Sequence, residues 1–275
     1  MIVEREREIE SFVPEEYWEA VADLKEEGVE NSVKFQVGRH EGNTFRPVNV
    51  DQAAKAEDDL RSGVFKISKR EDKPTRSKPN APFITSTLQQ GASTRMGFSV
   101  KKTMTMAQRL YEAGYITYMR TDSTNLSVEA VTACRELIQS EYGNDYVLPE
   151  PRGYSSKEDA QEAHEAIRPS DVSKAPEQLM GVDADAVRLY ELIRNQFIAC
   201  QMPDAQYLST SVSAESGAYE LRVRGRVMQF DGFTRVLPPV SRKKDEDAVL
   251  PDIQVGQNLA LLDVQTVQHL SLIHI

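Results

Sequence analysis

The sequence predicts an α+β protein in which a mostly helical inserted domain, residues 81–203, is flanked by two β-rich segments. Apolar and polar residues alternate in both flanks, most clearly over residues 33–37 and 208–212, and this alternation is typical of a half-buried strand. Between the flanks, apolar residues recur at helical spacing. We therefore expect the flanks to pair into one arch-like β unit whose two connections to the insert act as a hinge.

The first flank, residues 1–80, is expected to contain strands, turns and one short helix. Its predicted elements, in order, are a strand after Pro14, a strand over residues 33–37, a helix over 50–60, a strand over 64–67 and a linker over 69–82. The linker is predicted because Pro74, Pro79 and Pro82 interrupt the hydrogen bonding of both helices and strands.

The insert is expected to contain four helices, which follow the N-cap residues Ser99, Ser127, Ser156 and Asp183. A short β-prone run, residues 115–119, separates the first two helices, and the third must end before Pro169. The buried stripes predicted for the first, second and fourth helices are Val100, Met104, Ala107 and Tyr111; Val128, Val131, Cys134 and Ile138; and Val187, Tyr190, Ile193 and Phe197. The returning flank, residues 204–269, is expected to form strands around a turn at Gly217.

Composition excludes several classes of protein. The 275 residues are 40 % hydrophobic and 28 % charged, and no apolar run approaches the roughly 18 residues that cross a bilayer. The amino terminus alternates charges and lacks the order of a secretory signal, so we expect a cytoplasmic protein without membrane contact. Cys134 and Cys200 are far apart and are expected in the core, which indicates neither a zinc site nor a disulfide framework.

The charge of the chain is unevenly distributed. The net charge is −10, yet residues 61–109 contain eleven Lys or Arg against two Asp or Glu. Such a basic stretch on an acidic chain suits the local binding of a polyanion. A solvated surface loop explains the charge equally well.

The segment 114–124 carries the chemistry that the sequence suggests. If it is extended, Tyr118 and Arg120 project from the same face, because side chains alternate along a strand. A phenol with a pKa of about 10 is a poor nucleophile, and a neighbouring guanidinium can favour its attack while binding phosphodiester oxygens. The ordinary alternative is a packed ring beside a surface charge.

Residues 115–123, Tyr-Ile-Thr-Tyr-Met-Arg-Thr-Asp-Ser, resemble the active-site signature of bacterial type IA DNA topoisomerases. Other stretches are similar to the same family in the expected order, namely residues 3–9, 82–90, 97–99, 107–112 and 164–169. The similarity extends from about Ile2 to Gln268, and residues 270–275 are interpreted as a non-native tail.

The resemblance implies roles for six residues. Tyr118 would be the nucleophile, with Arg120 and His164 as the other catalytic residues, and Thr117, Thr121 and Arg168 would contact the nucleic acid. On the predicted third helix, His164 shares a face with Arg168, four residues later. A satisfied surface or core histidine is the alternative for His164, and a cation that caps the helix end is the alternative for Arg168.

The implied activity is the ATP-independent cleavage, passage and religation of single DNA strands through a 5′-phosphotyrosine, which relaxes negative supercoils. The expected partners are single-stranded or negatively supercoiled DNA and the missing N-terminal Toprim and C-terminal domains of a monomeric parent protein. Mg²⁺ is expected in the Toprim domain, and the chain alone is expected to be inactive. The glutamates at positions 4, 6, 8 and 10 are better explained as a charged helix or strand face.

Two other functions remain open. One is a non-catalytic single-stranded DNA-binding module that uses the basic stretch over residues 61–109. The other is a phosphodiesterase of a different family with a tyrosine nucleophile, which leaves the remaining matched segments unexplained.

Overall fold

The computed structural model describes residues 2–26, 31–154, 165–240 and 250–271. The chain divides into two compact units, as far as their residues are described. The sheet unit is formed by Met1–Pro74, Leu208–Val227 and Lys244–Ile275, and the helical unit by Thr75–Tyr207 and Met228–Lys243. The mixture of helices and antiparallel sheet agrees with the predicted α+β class.

The strands lie in one sheet, in the order β1-β7-β4-β5-β6-β2-β3, and β1 also pairs with β2. The helices and strands that build the sheet unit are α1 (Ile2–Ser11), β1 (Glu16–Lys25), β2 (Ser32–His40), β3 (Asn43–Thr44), α2 (Val50–Arg61), β4 (Phe65–Ser77), β5 (Ala205–Ser216), β6 (Tyr219–Phe230) and β7 (Asn258–Leu270). Three of the strands, β4, β5 and β6, continue into the helical unit. The core packs Leu60 of α2 with Phe35, Phe65 and Ile67 of the strands, all of them fully buried. The predicted helix over residues 50–60 and the predicted strands of both flanks are confirmed.

Two expectations for the sheet unit were wrong. The predicted linker over residues 69–82 is largely strand, because β4 continues through Pro74 to Ser77. The register of β4 with β7 covers only Phe65 and Lys66, and a proline is tolerated where one edge of a strand needs no backbone donor. The non-native tail was also predicted to begin too early in the sequence. Leu270 pairs with Glu16, and the Ser271 backbone N–H donates to the Glu15 carbonyl at 2.8 Å.

The helical unit contains α3 (Thr85–Met96), α4 (Val100–Glu112), α5 (Val128–Tyr142) and α6 (Ala184–Gln201). Three predicted N-caps are confirmed. The side-chain oxygens of Ser99, Ser127 and Asp183 accept hydrogen bonds from backbone N–H groups three residues on, at 3.2, 3.2 and 2.9 Å. These bonds satisfy donors that a helix start otherwise leaves unpaired.

The segment Met228–Lys243 joins the helical unit, although the sequence places it in the returning flank. Its 3-10 turn, Gly232–Arg235, is held by a bond from the Phe233 backbone N–H to the Pro203 carbonyl at 3.0 Å. Gly232 has φ +48°, and a Cβ there would lie 2.6 Å from the Pro203 carbonyl oxygen. Only glycine fits this close approach.

On α6, Tyr190, Ile193 and Phe197 of the predicted stripe are buried, whereas Val187 is only half-buried. On α4, Ala107 is the one member of the predicted stripe that is buried, and the other buried residues are Thr103, Met106 and Leu110. On α5, Cys134 and Ile138 are buried as predicted, but Val128 is exposed. Helix α3 was missed, because its Ser, Thr, Gln and Gly residues give no apolar stripe.

The β-prone run over residues 115–119 is a bent loop rather than a strand, with one isolated bridge at Ile116. Most of the predicted third helix, including Ser156 and His164, lies outside the described residues. Its expected end is extended instead of helical, since Ile167 and Pro169 form bridges to Phe83 and Ile116. A residue before proline is disfavoured in the helical region, so Arg168 does not lie on a helix, whereas its predicted partner His164 falls outside the described residues.

Candidate active site

Tyr118 lies on a loop that exposes some side chains and buries the ones between them. Ile116 and Met119 are 2 % and 1 % exposed and belong to the helical core, whereas Tyr118 is 48 % exposed. Arg120 is also exposed. The buried residues therefore anchor the loop, and the phenol and the guanidinium remain accessible to a ligand.

The start of this loop is fixed by Tyr115. Its hydroxyl donates to the Met180 carbonyl and accepts from the Met180 backbone N–H, both at 2.9 Å. The ammonium of Lys174 lies 4.9 Å from the centre of the Tyr115 ring. Gly114, with φ +76°, ends the turn after α4 and allows the chain to enter the loop.

The segment 165–170 lies between the loop and the stretch that leads into α3. The Ile167 backbone N–H donates to the Phe83 carbonyl at 2.8 Å, and the Thr117 and Ser170 backbone N–H groups bond to the Arg168 and Tyr115 carbonyls, both at 2.9 Å. The loop that carries Tyr118 is thus one edge of a short irregular ladder. Such a ladder restricts the backbone on either side of Tyr118.

Thr117 bonds to this segment with its side chain as well. Its hydroxyl donates to the Ala166 carbonyl at 2.7 Å and accepts from the Arg168 backbone N–H at 3.0 Å. Thr117, the residue immediately before Tyr118, is therefore held by four hydrogen bonds to Ala166 and Arg168, the longest of them at 3.5 Å. These bonds favour a positioning role for Thr117.

The other side of the loop is held by Thr85, the first residue of α3. The Thr85 hydroxyl donates to the Met119 carbonyl at 2.8 Å and accepts from the Thr121 backbone N–H at 3.0 Å. The Thr85 backbone N–H donates to the Thr121 carbonyl at 3.0 Å. Thr121 is 8 % exposed, and its own hydroxyl accepts from the Ser123 backbone N–H at 3.1 Å. Arg120 is therefore carried between two fixed residues.

Arg168 makes a two-pronged ion pair with Glu165. The guanidinium Nε and one terminal nitrogen donate to the two carboxylate oxygens at 2.8 and 2.9 Å, and the other terminal nitrogen donates to the Pro169 carbonyl at 2.8 Å. Glu165 also accepts from the Ser127 backbone N–H at 2.9 Å. Burial opposes ionisation of Glu165, but the bonds from Arg168 and Ser127 prevail and hold its pKa below the usual value.

Tyr111 is a site residue that the sequence reasoning missed. It was assigned to the buried stripe of α4 but is 40 % exposed, and its ring packs against the Tyr118 ring with centroids 5.2 Å apart. The sequence did contain a signal for this ring contact, because Tyr111 and Tyr118 are both aromatic and are separated only by the end of α4 and a turn. Tyr111 was missed as a site residue because it was predicted to be buried.

The basic stretch over residues 61–109 does not form one unpaired surface. Six of its eleven cations lie in ion pairs with carboxylates: Arg61, Lys69, Arg70, Lys73, Lys102 and Arg109. The first four belong to the sheet unit and the last two to the helical unit. This pairing weakens the interpretation of the stretch as a single electrostatic footprint.

A profile of the family described as DNA topoisomerase matches residues 1–271. The chain belongs to this family. The predicted resemblance to bacterial type IA DNA topoisomerases is thereby confirmed, and the match includes Leu270 and Ser271 of the expected tail.

Curated members of the DNA topoisomerase family are similar over nearly the whole chain. DNA topoisomerase 1 of Pseudomonas aeruginosa is 58 % identical over 98 % of this chain, and that of Escherichia coli is 53 % identical over 98 %. The chain spans 31 % of the length of each of these relatives. The solved structure of full-length topoisomerase I from Thermotoga maritima matches 98 % of this chain and 43 % of its own, with a TM-score of 0.77 and 29 % identity.

His164, which the DNA topoisomerase resemblance implies as a catalytic residue, lies outside the described residues. Among the described residues, no three or more His, Cys, Asp or Glu side chains are grouped so as to hold a metal ion. The glutamates of α1 do not fit such a site, and Glu8 instead pairs with Arg5 at 2.5 Å. The expected location of Mg²⁺ in a Toprim domain stays a prediction.

In the described part of this DNA topoisomerase family member, no helix has both the length and the apolar character needed to cross a membrane. The free thiols Cys134 and Cys200 are buried in the helical unit, as predicted.

Proposed function

We propose that this chain carries the nucleophile of a type IA DNA topoisomerase, and that Tyr118 attacks a phosphodiester of single-stranded DNA. The observation that carries the proposal is the exposure of Tyr118, which is 48 % exposed on a loop whose backbone is hydrogen-bonded on both sides. Arg120, two residues further along, is exposed as well. Fixing the backbone reduces the entropy lost when the attacking oxygen meets the phosphorus.

The reaction conserves the bond energy of the strand. The Tyr118 oxygen forms a bond to phosphorus as the bond from phosphorus to the 3′ oxygen breaks. The phenol proton is lost, and the departing 3′ oxygen takes up a proton to become a hydroxyl. Religation is the reverse step, in which the 3′-hydroxyl attacks the 5′-phosphotyrosine, so neither ATP nor an oxidant is consumed.

Arg120 is proposed to bind the non-bridging oxygens of the attacked phosphate. A guanidinium offers two parallel donors that match two phosphate oxygens. The charge that develops on these oxygens is largest in the transition state, so the same contact lowers the barrier. His164 is proposed as the third catalytic residue, on the resemblance alone.

Contacts of Thr117, Thr121 and Arg168 with DNA also stay predictions. Their bonds in this structure favour a second role, because both hydroxyls and the guanidinium are already engaged with neighbouring groups. We propose that all three hold the shape of the loop when DNA is bound.

In the parent protein, strand passage is proposed to follow cleavage and to relax negative supercoils, with the β-rich flanks as the hinge and Mg²⁺ held by a Toprim domain. The parent is proposed to act as a cytoplasmic monomer on single-stranded or negatively supercoiled DNA, with Toprim and C-terminal domains beside this chain. The chain alone is proposed to be inactive, and Mg²⁺-dependent relaxation by the isolated chain would contradict this.

The test is a chimaera in which this chain replaces the matching segment of the Pseudomonas aeruginosa relative. The chimaera is mixed with a single-stranded oligonucleotide labelled at its 3′ end, and a denaturing gel resolves the products. We expect the label to migrate with the protein and Tyr118→Phe to abolish this adduct.

An oligonucleotide labelled at its 5′ end serves as the matched control. It should yield a shorter strand that a polymerase can extend, because cleavage leaves a 3′-hydroxyl. A protein-linked 5′ label, or an adduct that persists in Tyr118→Phe, would remove Tyr118 from the proposed role. Oligonucleotide binding without any adduct would favour the non-catalytic module.

A further inference from the structure

The side chain of Thr85 contacts the backbone on both sides of Arg120. Its hydroxyl donates to the Met119 carbonyl at 2.8 Å and accepts from the Thr121 backbone N–H at 3.0 Å. The Met119 carbonyl belongs to the peptide group that precedes Arg120, and the Thr121 N–H belongs to the peptide group that follows it. One oxygen atom is therefore bonded to both peptide groups that adjoin the Arg120 Cα.

These two bonds restrict the backbone dihedral angles of Arg120. Because a peptide group is planar, φ and ψ are the only soft rotations of the backbone at each residue. A hydroxyl that binds the peptide groups before and after Arg120 limits both rotations at once. The direction in which the Arg120 side chain leaves the backbone is thereby set by Thr85.

Thr85 can impose this geometry because its own backbone is fixed. It is the first residue of α3, whose Leu88 is fully buried in the helical core. The Thr85 backbone N–H donates to the Thr121 carbonyl at 3.0 Å. Two residues earlier, the Phe83 carbonyl accepts from the Ile167 backbone N–H at 2.8 Å. The hydroxyl is thus presented to the loop from a rigid helix start.

The bonds lie where water has little access. Met119 and Thr121 are 1 % and 8 % exposed, and Thr85 is half-buried. A buried donor or acceptor that loses its partner is not readily satisfied by water. The Thr85 hydroxyl therefore has no simple substitute at this position.

The backbone matters for Arg120 because its side chain is free of other restraints in the described part of the chain. Arg120 is exposed, and none of the described side chains forms an ion pair or hydrogen bond with its guanidinium. Arg168, by contrast, is held by its ion pair with Glu165. The position of the Arg120 guanidinium consequently depends on the backbone from which it extends.

We propose that Thr85 is a positioning residue for DNA cleavage, which fixes the Arg120 backbone so that the guanidinium reaches the phosphate attacked by Tyr118. The role of Thr85 rests on the function proposed for Tyr118 and Arg120. A phosphate oxygen only accepts hydrogen bonds, and the single hydroxyl proton of Thr85 is already donated to Met119. Thr85 therefore acts through Arg120 rather than on the DNA.

The test is a double-mutant cycle of Thr85→Val and Arg120→Ala, read from single-turnover adduct formation by the chimaera. Thr85→Val keeps the shape of the side chain but removes the hydroxyl. We expect it to slow adduct formation about 10- to 100-fold, as when a reacting group is misplaced by about 1 Å. In the Arg120→Ala background the same substitution should slow it less than about twofold, because the two residues act through one contact.

Equal factors in the two backgrounds would overturn the proposal, because a threonine that only stabilises the fold slows both alike. Thr85→Ser keeps the hydroxyl and should restore most of the rate. Thr105→Val is the matched control, since the exposed Thr105 hydroxyl donates to the Lys101 carbonyl within α4 at 2.9 Å. It should leave the rate unchanged, and a loss equal to that of Thr85→Val would contradict a specific role for Thr85.

Hydrogen exchange of backbone amides in the full chain tests the positioning without DNA. The Thr121 amide should be protected in the parent chain and lose its protection in Thr85→Val, whereas the Thr117 amide, bonded to the Arg168 carbonyl, should keep it. An unprotected Thr121 amide in the parent chain, or loss at both amides in Thr85→Val, would overturn the proposal.

The two measurements separate failure of this role from failure of the chemistry at Tyr118. A parent chimaera that forms no adduct would overturn the proposed cleavage, and the role of Thr85 in it. An active parent chimaera with equal factors in the cycle would overturn the role of Thr85 alone.

Discussion

The ring of Tyr111 packs against the ring of Tyr118, with 5.2 Å between the centroids and 67° between the planes. Tyr111 lies in the last turn of α4, whereas Tyr118 lies on the loop that follows it. Edge-to-face contacts of this kind are worth about 0.5–1.5 kcal/mol beyond the area they bury. The helix therefore restricts where the exposed phenol of Tyr118 points.

Tyr111→Ala is expected to slow adduct formation in the chimaera about 2- to 10-fold, which is the rate equivalent of that contact energy. Tyr111→Phe keeps the ring and should restore the rate, because the observed contact is between the two rings. The measurement is single-turnover adduct formation, with oligonucleotide affinity determined in parallel. A defect in Tyr111→Phe equal to that in Tyr111→Ala would refute a role through ring packing.

Arg120→Ala is expected to lower the rate of adduct formation by roughly 10²–10³, as when one donor to a developing oxyanion is removed. Arg120→Lys should recover only part of the lost rate, because an ammonium keeps the charge but lacks the two parallel donors of a guanidinium. Arg188→Ala serves as the control, since it removes another half-exposed guanidinium in the helical unit. A loss confined to affinity, with an unchanged maximal rate, would make Arg120 a binding residue only.

Thr117→Val is expected to destabilise the chain by about 1–3 kcal/mol, since it leaves the Ala166 carbonyl and the Arg168 N–H without their partner. Thr117→Ser retains the hydroxyl and should therefore lose much less stability than Thr117→Val. Denaturant unfolding of the full chain measures both. If Thr117→Val is as stable as the parent chain but binds DNA more weakly, the hydroxyl acts on the ligand rather than on the loop.

The local sequence predicted those elements whose determinants are themselves local. The caps at Ser99, Ser127 and Asp183 were found because a helix start needs only one side-chain oxygen at a defined position. The strands around Gly217 were found because alternation and a turn residue are adjacent in sequence.

The errors arose where a distant segment decides the conformation. Residues 115–119 have strand propensity, but their partner is the irregular stretch around Pro169, about fifty residues later, so only one bridge forms. Pro74 was predicted to end β4, because the sequence does not show that the pairing of β4 with β7 covers only Phe65 and Lys66. The ring contact of Tyr111 with Tyr118 and the ion pair of Arg168 with Glu165 are tertiary contacts. The spacing of apolar residues along the sequence does not show such contacts.

The ion pair between Glu165 and Arg168 predicts a dependence of stability on pH. The pKa of Glu165 is lower in the folded chain than its usual value, so the folded state binds fewer protons at this carboxyl than the unfolded state. Its contribution is complete above the unfolded pKa of about 4.3 and is lost as the pH falls through the folded pKa.

Glu165→Gln should therefore destabilise the chain at pH 7, by about 1–3 kcal/mol for lost bonds to a charged group, and the difference should shrink below about pH 4. Denaturant unfolding from pH 3 to pH 7 measures this. Glu129→Gln is the control, because Glu129 is exposed in the first turn of α5. A difference that stays constant over this pH range would show that packing, rather than ionisation, accounts for the effect.

The two thiols are predicted to be unreactive in the folded chain. Cys134 and Cys200 are both fully buried, and burial raises the pKa of both thiols, that of Cys200 to about 12. The thiolate is the reactive form, so at pH 8 an aromatic disulfide reagent should label neither residue until the helical unit opens. Labelling rates in increasing denaturant should follow unfolding measured by circular dichroism. Rapid labelling of either thiol in the native chain would show that the packing of α5 against α6, which covers both cysteines, opens on its own.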